Sequence, residues 1–262
     1  MTIQENINSL LEKQIEDYSA ESHKAKIKEK KGSDLFSLEY QTSWYDDYGN
    51  DHTLPILAIL SSPDYANKIS AITLKGEDEG VNGTQNWELK ALLNNKATFD
   101  HLEEFILPLN DKKNHHRKIV TFKSSYDENN GLAILLDKAP NLKKLVAPSA
   151  PGPKFFDRKS HGLKELNLQS GYDHLNFIAN LSKSKCFKDL TSLTFRDYAE
   201  TYMDDYKDSC TKYDDYLALV NSSTLSSLKN IALIDTILDK KQKDALTKAA
   251  SDKGRTLEFK KI

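Results

Sequence analysis

The sequence predicts an α/β solenoid, with strands stacked in parallel on a concave face, helices on the convex face and a helical cap at the N-terminus. Three observations point there. One short apolar pattern occurs seven times, amphipathic helical segments separate its copies, and leucine occurs 34 times in 262 residues, spread along the whole chain. Repeated strand–helix units that each bury one apolar face must stack to complete a core.

The pattern is a leucine or isoleucine, two variable residues, an apolar residue, one variable residue and a second apolar residue. It reads Leu35-Phe-Ser-Leu38-Glu-Tyr40, then Ile69-Ser-Ala-Ile72-Thr-Leu74 and Leu102-Glu-Glu-Phe105-Ile-Leu107. Leu142-Lys-Lys-Leu145-Val-Ala147, Leu163-Lys-Glu-Leu166-Asn-Leu168 and Leu190-Thr-Ser-Leu193-Thr-Phe195 follow, and Leu228-Lys-Asn-Ile231-Ala-Leu233 is the seventh. Leu257-Glu-Phe259 fits the last two apolar positions of an eighth. Successive copies start 34, 33, 40, 21, 27 and 38 residues apart. Two intervals fit a repeat of roughly 20–29 residues, and the other four require inserted loop or helix.

The apolar pair two residues apart, such as Leu166 and Leu168, sends one face of a strand inward, because side chains alternate along a strand. The leucine three residues earlier turns the chain into it. Helical segments are expected at 86–93, where Leu89, Leu92 and Leu93 share a face, and at 130–139, which Pro140 stops. Further helices are expected at 172–181, 213–220 and 239–250. Isolated matches arise by chance in a leucine-rich chain, but seven in order, nearly all separated by an amphipathic segment, do not.

These residues resemble bacterial leucine-rich-repeat proteins with long ribonuclease-inhibitor-like repeats. The segments APNLKKLVAP to HGLKELNLQSG and LSSLKNIALIDTILDKKQKDALTKA carry the resemblance, which covers residues 34–262. The asparagine that many such repeats place after the strand is replaced by Gly76, Leu109, Ser149, Ser170, Asp197 and Asp235. The resemblance implies a horseshoe of about seven to eight repeats and a binding module, and it carries over no catalytic residue.

Residues 1–33 lie before the first copy. Ile3, Ile7, Leu10, Leu11, Ile15 and Tyr18 fall on one helical face. An amphipathic helix there would cap the first apolar layer; a dimerising or partner-binding helix is the other reading. Residues 23–32, with five lysines, read as a solvated helix end and linker. No aromatic residue interleaves with the lysines to stack on bases.

Composition bounds the rest. Lys+Arg 37 against Asp+Glu 39 leaves a net charge of −2, which argues against a generally basic nucleic-acid binder. The longest apolar run, Leu54 to Leu60, is too short to span a bilayer and contains Pro55. The N-terminus is acidic and lacks the apolar core of a signal peptide, so a cytoplasmic location is expected. Cys186 and Cys210 make neither a disulfide framework nor a zinc set. No P-loop, GxGxxG, GxSxG, HExxH or CxxC is present. His115 and His116 are adjacent and point different ways, so a metal site would need ligands from elsewhere. No catalytic residue, metal site or cofactor is expected.

The informative feature is acidic and aromatic. Residues 197–216 hold seven acids, five tyrosines and two lysines. Asp197, Tyr198, Tyr202, Asp204, Asp205, Tyr206, Asp214 and Asp215 are the candidate contacts, on the loop that leaves the Leu193-Thr-Phe195 strand. Trp44, Tyr45, Asp46, Asp47 and Tyr48 occupy the corresponding loop of the first copy, and Glu77-Asp-Glu79 a third such loop. Equivalent loops of a solenoid stack along one rim. Tyrosine and tryptophan dominate interface hot spots, and clustered carboxylates steer a basic partner. The bland alternative is a solvated acidic loop with tyrosines packed back on the core. The variable strand positions Thr73, Ile106, Val146, Asn167, Thr194 and Ala232 would line the concave face.

The expected function is a non-enzymatic protein-binding module. In its sharpest form it is an immunity or inhibitor protein that neutralises a basic toxin. The alternatives are the substrate-recognition part of an effector or enzyme, and a structural module that self-associates through its N-terminal helix. Neither a nucleic acid nor a membrane is an expected partner, and the oligomeric state stays open.

Overall fold

The computed structural model describes residues 2–14, 24–42, 53–76, 84–110, 117–122, 128, 130–170, 173–197 and 206–262. It is a mixed α/β fold with a mostly parallel sheet. Helix α1 (Ile3–Gln14) precedes strands β1 (Lys24–Glu29) and β2 (Phe36–Thr42). Then come α2 (Thr53–Leu60), β3 (Ile69–Gly76), β4 (Thr84–Glu88), α3 (Lys90–Leu93), β5 (Glu104–Ile106) and β6 (Arg117–Thr121). The chain continues through α4 (Gly131–Lys138), β7 (Lys144–Ala147), β8 (Glu165–Gln169), α5 (Phe177–Lys183) and β9 (Ser192–Arg196). It ends with α6 (Tyr213–Asn221), β10 (Asn230–Ile234), α7 (Lys240–Asp252) and β11 (Thr256–Lys260).

Among the described residues, nine strands form one sheet in the order β1-β2-β3-β5-β7-β8-β9-β10-β11. From β3 to β11, each strand of this sheet lies parallel to the one before it in that order. The registers align the apolar pattern. Leu38, Ile72, Phe105, Leu145, Leu166, Leu193 and Ile231 form one row across the sheet. All are buried, together with Leu132, Leu135, Phe177, Leu181, Leu219 and Leu246 of the helices. One sheet face therefore packs on the helices, and strand alternation leaves the variable residues on the other.

Two departures from the expected elements concern strands, and the first accounts for part of the irregular spacing. Segment 86–93 was expected as a helix, but Thr84–Glu88 is strand and only Lys90–Leu93 is helical. β4 pairs in parallel with β6 in a separate two-stranded sheet, with Asn86 opposite Ile119 and Trp87 opposite Val120. These strands occupy corresponding places between a main-sheet strand and the next helix, so they account for length in the 33- and 40-residue intervals. The β-branched and aromatic content of Trp87, Ile119, Val120 and Thr121 suits a strand, and burial of Trp87 and Val120 outweighs the helical leucine spacing.

The second departure is at the start. The lysine-rich segment is no linker: Lys24–Glu29 is an edge strand, antiparallel to β2, with Ile27 opposite Leu38. Its lysines alternate with Ala25 and Ile27, which pack on the core. Helix α1 covers this edge. The Gln4 amide donates to the Ala25 carbonyl at 3.0 Å and accepts from the Ile27 N–H at 2.9 Å, standing in for a neighbouring strand. Ile7 is fully buried. Lysines on one face and a side-chain amide on the rim blunt an otherwise open edge.

Helix ends are satisfied by side chains from the following unit. Arg255 donates to the carbonyls of Leu219, Val220, Ser222 and Leu225 at 2.7–2.9 Å, closing the C-terminal end of α6. Ser222 donates to the Ser182 carbonyl of α5 at 2.6 Å, and Lys138 to the carbonyls of Asn95 and Ala97 just past α3. Each bond supplies a donor that helix carbonyls lack internally.

Candidate functional site

The acidic, tyrosine-rich segment begins where β9 ends. Asp197 follows Arg196 directly and is 1% exposed. Its carboxylate accepts from the Thr211 N–H (3.2 Å) and hydroxyl (3.1 Å) and from the Tyr216 hydroxyl (2.8 Å). Its own N–H donates to the Ile234 carbonyl at 2.9 Å. From its place in the acidic segment, Asp197 is expected on the rim as a contact. It is instead an interior clasp that ties the two ends of the loop together and links them to β10.

That clasp sets the local electrostatics. Burial and the Asp197 carboxylate raise the Tyr216 hydroxyl well above its ordinary value. Burial, and then the Asp197 charge, push the Cys210 thiol up to about 12. Cys210 is buried and is held as the thiol. Cys186 is also buried and free, and its thiol is raised by the same desolvation.

Asp214 and Asp215 are not on the loop. They occupy the first turn of α6, where a carboxylate is favoured by the helix dipole. Asp214 is exposed and Asp215 half-buried. Among the tyrosines, Tyr216 is fully buried and Tyr213 packs against the core. Tyr206 is half-buried, with the Lys207 ammonium 6.0 Å from its ring centre. The bland alternative therefore describes Tyr213 and Tyr216 but not Asp197, which is neither contact nor solvated acid, while Tyr206, Asp208 and Asp214 stay at the surface. Tyr198, Tyr202, Asp204 and Asp205 lie outside the described residues, as do Trp44, Tyr45, Asp46, Asp47 and Tyr48, the acids 77–79 and His115 and His116.

The sheet face turned away from the helices forms a second surface. Registers place Thr73, Ile106, Val146, Asn167, Thr194 and Ala232 side by side on six successive strands. None carries a charge. The row continues onto β2 as Glu39, which bonds Lys75 at 2.7 Å; beside it Lys144 lies 3.8 Å from Glu165, and Lys143 pairs with Glu103. The bonded lysine holds the Glu39 carboxyl below the usual carboxylate range, and that of Glu103 likewise. The row is therefore uncharged from Thr73 to Ala232 and ends in Glu39 on β2 and Glu258 on β11.

One polar group across this face had no sequence signal. After β5 the chain crosses toward β8 and β9. The Asn110 N–H donates to Gln169 Oε1 at 3.1 Å, and its carbonyl accepts from Arg196 at 2.7 Å. Arg196 Nε donates to Asp235 Oδ2 at 2.8 Å, and Asp235 Oδ1 accepts from the Ile262 N–H at 3.0 Å. Asp235 has φ 55°, a left-handed conformation that aspartate tolerates better than most residues. The network spans residues 110 to 262, so no local pattern announces it. It pins the C-terminal ends of β8, β9 and β10 and is a fixed polar border to the neutral row.

Among the described residues, no group of three His, Cys, Asp or Glu side chains is placed to hold a metal ion. No described helix is long and apolar enough to cross a membrane. No family model matches the chain, and no curated protein is significantly similar to it.

Proposed function

We propose that the chain is a leucine-rich-repeat solenoid that works as a non-catalytic protein-binding module. In its sharpest form it is a cytoplasmic bacterial immunity or inhibitor protein that neutralises a basic toxin. The observation that carries this reading is the uncharged row Thr73, Ile106, Val146, Asn167, Thr194 and Ala232, spaced by successive strand registers on the sheet face away from the helices. Neutral side chains on a hydrogen-bonded scaffold accept a protein surface with little desolvation cost, Val146 being the one buried member of the row. The acids at the N-terminal end of α6 and on the preceding loop give such a partner a direction of approach. Asp197 is outside the contact, because its carboxylate is committed to the fold.

The test is affinity capture from the native cell, followed by titration of the recovered partner. A basic protein is expected. Thr194→Arg with Ala232→Arg should abolish binding while leaving the thermal midpoint unchanged, and Asp204, Asp205, Asp214 and Asp215 changed together to Asn should slow association most at low salt. A partner bound equally well by both variants would remove the sheet face and the acidic rim from consideration.

A further inference from the structure

The two edges of the main sheet are finished differently. At β1, α1 lies over the strand and the Gln4 amide occupies backbone groups of Ala25 and Ile27. At the opposite edge, β11 pairs with β10 on one side and with no other strand among the described residues. Its inward residues Leu257 and Phe259 are only partly buried, whereas Leu233 and Phe195 in the corresponding row are fully buried. The exposed large apolar residues among those described, Ile237 and Ile262, both belong to this final unit.

The backbone of β11 determines which groups are free. The Thr256 N–H donates to the Lys229 carbonyl, and the Lys260 carbonyl accepts from the Asp235 N–H. In a parallel pair the N–H and C=O of one residue point to the same side, alternating along the strand. Thr256, Glu258 and Lys260 therefore face β10, and Leu257, Phe259 and Lys261 present their backbone groups outward.

We infer that β11 is a self-complementary edge and that two copies of this chain join there as antiparallel strands about a two-fold axis at Phe259. In that register, Phe259 of each copy exchanges backbone hydrogen bonds with Phe259 of the other, and Leu257 does so with Lys261. Glu258 then lies opposite Lys260 of the second copy, twice by symmetry. Glu258 and Lys260 already share a face, 3.2 Å apart within one chain with side chains 59% and 54% exposed, so pairing completes a ring of two acids and two lysines. A two-fold centred on Glu258 or on Lys260 uses outward backbone groups of the same strand but sets Glu258 against Glu258 or Lys260 against Lys260. Like charges directly opposite destabilise a pair and opposite charges stabilise it, so the Phe259 register is selected. An isologous contact of this kind closes on itself as a dimer and leaves no further edge at that end.

Sedimentation velocity over a range of protein concentrations tests this on the full chain. The wild type should show a monomer–dimer equilibrium. Glu258→Lys and Lys260→Glu each turn the ring into four like charges and should weaken the dimer about tenfold or more. The double variant Glu258→Lys/Lys260→Glu should restore it. An equimolar mixture of the two single variants, each weak alone, should form a heterodimer, because every acid then faces a lysine. The substituted side chains are exposed, and circular dichroism checks that the fold is retained. A wild type that stays monomeric at every concentration overturns the inference. So does a dimer indifferent to Glu258→Lys, which would place the contact elsewhere, or a mixture of single variants that stays unpaired.

Discussion

Three donors converge on the Asp197 carboxylate, and removing it leaves all of them buried without an acceptor. Asp197→Ala should lower unfolding free energy by about 3 kcal/mol and Tyr216→Phe by about 1 kcal/mol, read from urea midpoints. The same site sets a pH dependence. Cys210 is held protonated in the fold, raised from an ordinary value of 9.0 to about 12. Above pH 9 the unfolded chain releases that proton and the native chain does not, so the contribution is complete below pH 9 and is lost progressively as the pH climbs to about 12. The stability gap between wild type and Cys210→Ala should therefore narrow across that range in denaturation curves taken at successive pH values.

At the scale of elements, the unit boundaries depend on a few long-range caps. Arg255, from the turn before β11, is the main closure of α6. Arg255→Ala should cost about 3 kcal/mol, and Arg255→Lys should recover only part of it, since an ammonium cannot reproduce the guanidinium's planar fork of donors. Denaturant titration of both variants checks the ranking. Legibility varied among elements for physical reasons. The repeat strands and α4, α6 and α7 were readable because their apolar residues follow one period and their ends carry local signals, such as the Asp239–Gln242 capping box of α7. β1 was missed because lysine content outweighed the alternation with Ala25 and Ile27, and that alternation is the signal that would have found it. β4 was missed because the spacing of Leu89, Leu92 and Leu93 suits a helix, and only pairing with β6 decides for strand.

Across the whole molecule, each unit touches mainly its neighbours in the sheet order, so opening should begin at the ends. Amide exchange should be slowest in β7, β8 and β9, which have strands on both sides, and fastest in β11. β1 should be intermediate, because α1 and Gln4 shield its outer edge. Exchange as slow in β11 as in β8 under dilute conditions would show a single cooperative unit instead.

The order of the units, the inward apolar rows and the uncharged row on the opposite face follow from the sequence alone, because strand alternation and a recurring pattern assign each residue to a face without knowledge of distant contacts. Only the tertiary structure decided which polar residues are surface and which are framework. Asp197 looks like its acidic neighbours in composition. It is interior because Thr211 and Tyr216 come back to meet it, and Arg196 is a fixed border because Asn110 and Asp235 arrive there from 86 and 39 residues away. Burial of a charge depends on partners that folding brings together, and those partners are not written next to it in the chain.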